Sequence, residues 1–248
     1  MAIFRAESGD QDQIGTDAND VMNGGRGDDT LSGGDGNDIL NGGADADSLS
    51  GGGGSDKLHG GAGDDILDGG DDNDRLVGGG GDDELTGGGG NDRLGGGGGN
   101  DALLGGDGDD NLRGGAGADV MTGGAGNDTF VIGNTDSGIT LATADVIIDF
   151  TTASDTLKLG LAGDATADTG NYVEAGAAVA DFAAALVAAN AALATLSGTS
   201  GAGELYAFQF DGTNGYLFDD VDGDGVADQV IVLTGITDTG IAAGDIVA

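Results

Sequence analysis

Residues 24–41 read GGRGDDTLS GGDGNDILN, one nine-residue phrase written twice. The phrase is Gly-Gly-x-Gly-(Asn/Asp)-Asp-x-apolar-x. Followed outward in both directions, it fills residues 15–131 as thirteen copies with no insertion or deletion. The first Gly and the sixth-position Asp stand in every copy. The eighth position is always apolar, Leu in ten copies and otherwise Met22, Met121 or Phe130. A fixed period carrying fixed chemistry specifies a repeat architecture in which each unit rests on its neighbours.

The residue types explain the period. Glycines admit positive φ and let one loop approach the next. The x-apolar-x triplet is a minimal strand with its middle side chain inward and its flanks outward. Nine residues then make half a coil, so copies n and n+2 stack on one edge about 4.8 Å apart. Two carboxylates at that spacing repel by roughly 3.5 kcal/mol at an effective dielectric of 20. A bare column of them is disfavoured, and a hard cation between each pair turns repulsion into coordination, with glycine-loop carbonyls completing the oxygen shell that calcium takes. The candidate ligands are Asp20, Asp29, Asp38, Asp47, Asp56, Asp65, Asp74, Asp83, Asp92, Asp101, Asp110, Asp119 and Asp128. They form at most eleven n/n+2 pairs, from Asp20/Asp38 to Asp110/Asp128, so up to about eleven Ca2+ are expected.

Composition agrees. Of 45 acidic residues 41 are Asp, against seven Lys plus Arg, and this bias to the shorter carboxylate suggests geometry more than solubility. A formal charge of −38 excludes nucleic acid as a natural partner, since phosphate binding needs a basic footprint. Without Cys there is no disulfide or thiolate site. No run of eighteen apolar residues marks a transmembrane helix. The opening MAIFRAESGDQDQ has no apolar core of a secretory leader, whereas weak calcium modules work at extracellular concentrations.

Residues 1–14 are expected to cap the array, with Ile3, Phe4 and Ile14 covering the first coil. The first copy, GTDANDVMN, has Thr16 and Ala18 where Gly is expected, and Asp45 and Asp72 replace the fourth-position Gly elsewhere. Asp tolerates the left-handed region, so these loops should form with altered or weaker sites. Ala46, Ser55 and Ala118 depart at the fifth position, which should matter less. Seventh positions place Lys57, Arg75 and Arg93 in one stacked column, read either as local charge balance or as a docking stripe for an anionic polymer or another molecule's acidic loops. Residues 132–248 form a C-terminal capping region. Asp145–Phe150 and Asp155–Leu159 alternate like strands, with Asp145, Asp149 and Asp155 as possible end ligands. Residues 175–197 are an Ala-rich helix with Val179, Phe182, Leu186, Asn190, Leu193 and Leu196 on one face. Three strands follow, near 205–210, 215–218 and 229–233, with a tight turn over 212–215. Between the last two, Asp220, Asp222, Asp224 and Asp228 have the spacing of an EF-hand loop, but Ile231 replaces the closing Glu and strands flank it. It is read as a non-EF-hand calcium loop, with a plain acidic turn as the alternative.

On these motifs the array resembles the RTX (hemolysin-type calcium-binding) family, whose sixth-position Asp it carries in every copy. The resemblance implies an all-β fold, a right-handed parallel β-roll with calcium between stacked loops, held by sixth-position Asp and glycine-loop carbonyls. It further implies export by type I secretion through an uncleaved C-terminal signal, which the closing Asp245-Ile-Val-Ala248 resembles. The expected protein is secreted and extracellular, with calcium and the type I machinery as partners and a structural or cell-surface role. Self-association or binding of a surface polymer is a further possibility. The alternative is a C-terminal secretion and folding module of a larger exported enzyme or toxin; a start Met directly before a capping segment favours the first. Enzymatic chemistry is not expected: His59 is the one histidine, so no HExxH site exists and a Ser-His-Asp triad has a single candidate base. The 4% aromatic content offers no platform for carbohydrate stacking.

Overall fold

The computed structural model describes residues 2–4, 8–133, 136–138, 140, 142–151, 154–160, 172–174, 185, 188–190, 192–193, 205–210, 214–220, 224, 226–234 and 246–247. The chain divides into two units, Met1–Thr129 and Phe130–Ala248.

In the first unit every nonapeptide contributes one strand. Even strands are β2 Val21–Arg26, β4 Ile39–Ala44, β6 Lys57–Ala62, β8 Arg75–Gly80, β10 Arg93–Gly98 and β12 Asn111–Ala116. Odd strands are β1 Asp12–Ile14, β3 Thr30–Asp35, β5 Ser48–Gly53, β7 Ile66–Asp71, β9 Glu84–Gly89, β11 Ala102–Asp107 and β13 Val120–Ala125. Each strand is parallel to the one two copies away, residue i against i+18, as in Leu40↔Leu58 and Leu67↔Leu85. The expectation that copies n and n+2 stack is met, and the fold is a mostly-β parallel solenoid. The strands run to six residues, because Gly-Gly-x of the following copy extends each x-apolar-x triplet. The register skips the first-position Gly: in β2/β4, Asn23↔Asn41 is followed by Gly25↔Gly43.

The eighth-position side chains from Met22 to Met121 stack inward and are 0–3% exposed. A single file of Leu is a thin core, so backbone ladders and the loops must carry much of the order. Asp45 and Asp72 take φ of 78° and 71°, the left-handed conformation their fourth-position glycine counterparts adopt, so those two loops do form.

The 18-residue register begins earlier than the motif does. Gln13 pairs with Leu31, Phe4 N–H donates to Val21 O at 2.8 Å, and Ile3 bridges to Val21. Gly9 has φ of 111°, Asp10 Oδ1 accepts the Asp28 N–H, and Gln11 N–H donates to Asp29 Oδ1. Residues 9–14 are therefore a degenerate half-coil with Gln11 in place of Asp and Gln13 in place of Leu. The cap differs from the apolar lid expected. Ile3 and Ile14 are 59% and 78% exposed, and the first coil is met by backbone bonds and by Gln13, whose Nε2 donates to Asn23 O. A polar inward residue at a solenoid end limits further stacking.

The second unit carries β14 Thr129–Gly133, β15 Asp145–Ile147, β16 Thr156–Gly160, β17 Tyr172–Glu174, β18 Leu205–Phe210, β19 Asn214–Asp220, β20 Gln229–Thr234 and β21 Ile246–Val247. One sheet runs β15-β20-β19-β18-β17, with β18/β19 and β19/β20 antiparallel; β14, β16 and β21 form the other. Ala185, Ala188–Asn190 and Ala192–Leu193 are helical. Ala185, Ala189 and Leu193, spaced by four, pack with Tyr216, Phe218, Val230 and Val232. Leu193 is buried on this face as expected, beside Ala185 and Ala189, which the apolar pattern did not include. Small Ala side chains let the helix lie close on the sheet, Asn190 is only half-buried, and Val179, Phe182, Leu186 and Leu196 lie outside the described residues. The expected turn over 212–215 lies outside them too, except for Asn214 and Gly215 in β19.

Candidate metal centre

The sixth-position aspartates are buried, 0–4% exposed from Asp20 to Asp128. Each occupies the residue before a strand, where the three-residue loop turns the chain back to the other sheet. Their two oxygens do different things. Oδ1 accepts the backbone N–H of the Asp two copies earlier: Asp20 N–H to Asp38, Asp38 N–H to Asp56, and so on to Asp110 N–H to Asp128, at 2.6–3.0 Å. The column is thus a hydrogen-bonded ladder through one oxygen of each carboxyl, where the sequence suggested only stacked charges.

Oδ2 is different. From Asp29 to Asp110 this atom is buried and has no hydrogen-bond partner. A buried acceptor left unmatched costs about 1–3 kcal/mol, and more when charged. It points at the first-position Gly of its own copy. A Cβ on Gly33 would fall on Asp38 Oδ2 and lie 2.7 Å from Gly51 O; Gly69 repeats this with Asp74 Oδ2 and Gly87 O at 2.6 Å. A carboxylate oxygen and the first-position carbonyl of the next coil therefore converge on a spot that only Gly leaves open. That spot is also where the strand register skips a residue. This explains why the first Gly is invariant without any positive φ.

Electrostatics agrees. Burial, offset by the ladder N–H and reinforced by neighbouring carboxyls, pushes Asp47, Asp56 and Asp65 up to about 6 and Asp74, Asp101 and Asp110 up to about 7. Asp29, Asp38, Asp83 and Asp92 are raised for the same leading reason. A hard cation fits: it would be held by Asp Oδ2 and first-position carbonyl oxygens, and would keep the carboxyls ionised. Among the described residues no three His, Asp or Glu side chains converge, so any cation in the roll relies on backbone oxygens as well.

The fifth position matters more than its sequence suggests. Asn37 Oδ1 accepts the Ser55 N–H, Asn91 accepts Asp109 N–H and Asn100 accepts Ala118 N–H, a second ladder beside the first. Ala46 and Ala118 carry no side-chain acceptor, so each ends such a ladder.

Among the described residues the other candidate ligands form no group of three carboxyls. Asp145 and Asp155 are buried and Asp149 half-buried; Asp155 Oδ2 accepts the Thr151 N–H. In the later loop Asp220 is buried with Oδ1 accepting the Asp224 N–H, Asp224 Oδ1 accepts the Val226 N–H, and Asp224 and Asp228 are exposed. Asn190 Oδ1 accepts the Ala227 N–H and ties this loop to the helix, a contact the sequence pattern did not reveal. Asp222 lies outside the described residues. Lys57, Arg75 and Arg93 do stack in register, exposed on the even sheet.

Fold and site together define a parallel β-roll whose turns bury a column of carboxyl oxygens. Its repeat matches the model of the RTX calcium-binding nonapeptide repeat in four copies, over residues 14–49, 42–76, 68–103 and 104–134, and the array is a member of that family. A comparison with curated proteins gives no match. Among solved structures, the AlgE6R3 subunit of the Azotobacter vinelandii mannuronan C5-epimerase is similar at 28% identity, TM-score 0.32, over 71% of this chain and 78% of that one. The extracellular lipase LipA of Serratia marcescens is similar at 17% identity, TM-score 0.26, over 98% of this chain but 40% of the lipase. The assignment rests on the repeat and not on these overlays.

Proposed function

We propose that this is a secreted calcium-binding RTX protein whose roll folds on meeting extracellular Ca2+, with a structural role at a cell surface or in a matrix. The ten unmatched Oδ2 atoms from Asp29 to Asp110 support this reading best. Each awaits a positive charge, and a chelated chain would have to bury them bare or protonate them. Calcium ligation is then folding free energy, and the calcium-free array is a disordered polyanion. Circular dichroism in EGTA tests this: loss of β signal, restored by millimolar calcium, is expected, and an intact signal after chelation overturns it.

The type I secretion machinery is the proposed export partner. Ile246–Val247 pair with Leu157–Lys158 once the chain is folded. Low calcium inside the cell would keep the chain unfolded for export. The protein is proposed to be non-enzymatic: His59 is exposed, its Nδ1 3.4 Å from Val77 O. The Lys57-Arg75-Arg93 column balances charge locally; loss of self-association or polymer binding after replacing all three by Ser would make it a docking stripe instead.

A further inference from the structure

We infer that the N-terminal coil of the roll is closed without a cation, Thr16 doing for Asp20 what metal does for the aspartates after it. The inference rests on the calcium reading above and divides the column that reading treats as uniform. Asp20 has both oxygens matched. Oδ1 accepts the Ala2 N–H at 2.5 Å; Oδ2 accepts the Thr16 N–H and the Thr16 Oγ–H, each at 2.8 Å.

The cause lies in one residue. Thr16 occupies the second position of its copy, where all twelve later copies have Gly at positive φ. Thr16 is outside that region, and its N–H turns toward the carboxyl four residues on. The hydroxyl, which Gly lacks, adds a second donor. The carboxyl moves accordingly. A Cβ on Gly15 would lie 3.2 Å from Asp20 Oδ2, whereas on Gly24, Gly33 or Gly42 it would fall on the Oδ2 of its own copy. Donors that direct hydrogens at Oδ2 satisfy its charge and repel a cation from the same spot.

The same spacing recurs beyond the array. Thr151 N–H donates to Asp155 Oδ2 at 2.8 Å, and Ser154 Oγ–H donates to Asp155 Oδ1 at 3.1 Å. Thr-x-x-x-Asp is thus a cation-free version of the turn at both places. At the N-terminal end it has a consequence for the next coil. Asp20, fixed by Thr16 and Ala2, presents its own N–H to Asp38 Oδ1 at 2.7 Å. The coil that needs no metal is the template on which the first metal-requiring turn is laid.

Native mass spectrometry of the full chain in saturating calcium, with thermal melts by circular dichroism, tests this on Asp20→Asn, Thr16→Gly and Asp65→Asn. Asp65→Asn should lose at least one ion, Asp20→Asn none, and Thr16→Gly should gain one as Asp20 Oδ2 is released. An Asp20→Asn protein that loses an ion as Asp65→Asn does, or a Thr16→Gly protein with the wild-type count, overturns the inference while leaving calcium binding intact. A wild-type chain that holds no calcium overturns the calcium reading itself, and this inference with it.

Discussion

The sixth-position aspartate and the first-position glycine of one copy are a single device. The glycine hydrogen leaves room for the carboxyl oxygen above it and for the carbonyl of the next coil. Gly33→Ala should therefore be costly. Its Cβ would meet Asp38 Oδ2 and Gly51 O, and the overpacking should lower stability in calcium by about 1–3 kcal/mol and shift the folding midpoint to higher calcium. Gly80→Ala is the control: a Cβ there meets nothing within 4 Å, and the change should stay within about 0.5 kcal/mol. Equal effects in a calcium-titrated denaturation series would mean the cradle has no energetic role. The Asp side of the device and its period were plain in the sequence. The division of labour between Oδ1 and Oδ2 was not, because it depends on which backbone N–H each oxygen meets.

Among the elements, the half-coil behaves as a unit with its own proton chemistry. Burial raises the carboxyls of Asp47, Asp56 and Asp65 to about 6 and of Asp74, Asp101 and Asp110 to about 7, from an ordinary value of 3.8. A carboxyl raised in the folded state favours folding while protonated. Its contribution is whole below about 3.8 and is lost as pH climbs through 6 to 7. In EGTA the array should thus show β signal at pH 4 and lose it by pH 8, and calcium affinity should weaken below about pH 6 as protons compete. A chelated array equally folded at pH 4 and 8 by circular dichroism contradicts this. The strands were legible from the x-apolar-x alternation, and β18 matches its expected span. Their extension through Gly-Gly-x was not, since glycine gives no pattern to read. The degenerate half-coil over residues 9–14 was hidden because Gln11 and Gln13 replace the two marker residues, although Gly9-Asp10 stands nine residues before Ala18-Asn19 and carried the signal. On the helix Leu193 was legible, whereas Ala185 and Ala189 were not, because Ala carries little hydrophobic weight in a pattern, yet small size is what close packing on the sheet requires.

For the whole molecule, the formal charge of −38 and the buried oxygens are separate obstacles to folding. Salt distinguishes them. At about 1 M monovalent salt the screening length is about 3 Å, which silences repulsion across the surface but not between buried groups. Sodium chloride at 1 M should therefore leave the chelated chain unfolded at neutral pH. Magnesium at millimolar concentration should restore little, since it holds its waters and its octahedral geometry tightly. Folding in 1 M salt with EGTA, followed by small-angle scattering, would place the barrier in net charge instead.

The register of 18 also dictates how such a gene segment can lengthen or shorten. Excision of two adjacent nonapeptides removes a full turn and leaves every later side chain on the sheet it occupied. Excision of one transposes all that follows to the opposite sheet, so that downstream Arg75 and Arg93 would part from Lys57 and line up beneath Ser48. Viable variants of this array should consequently differ in size by whole turns.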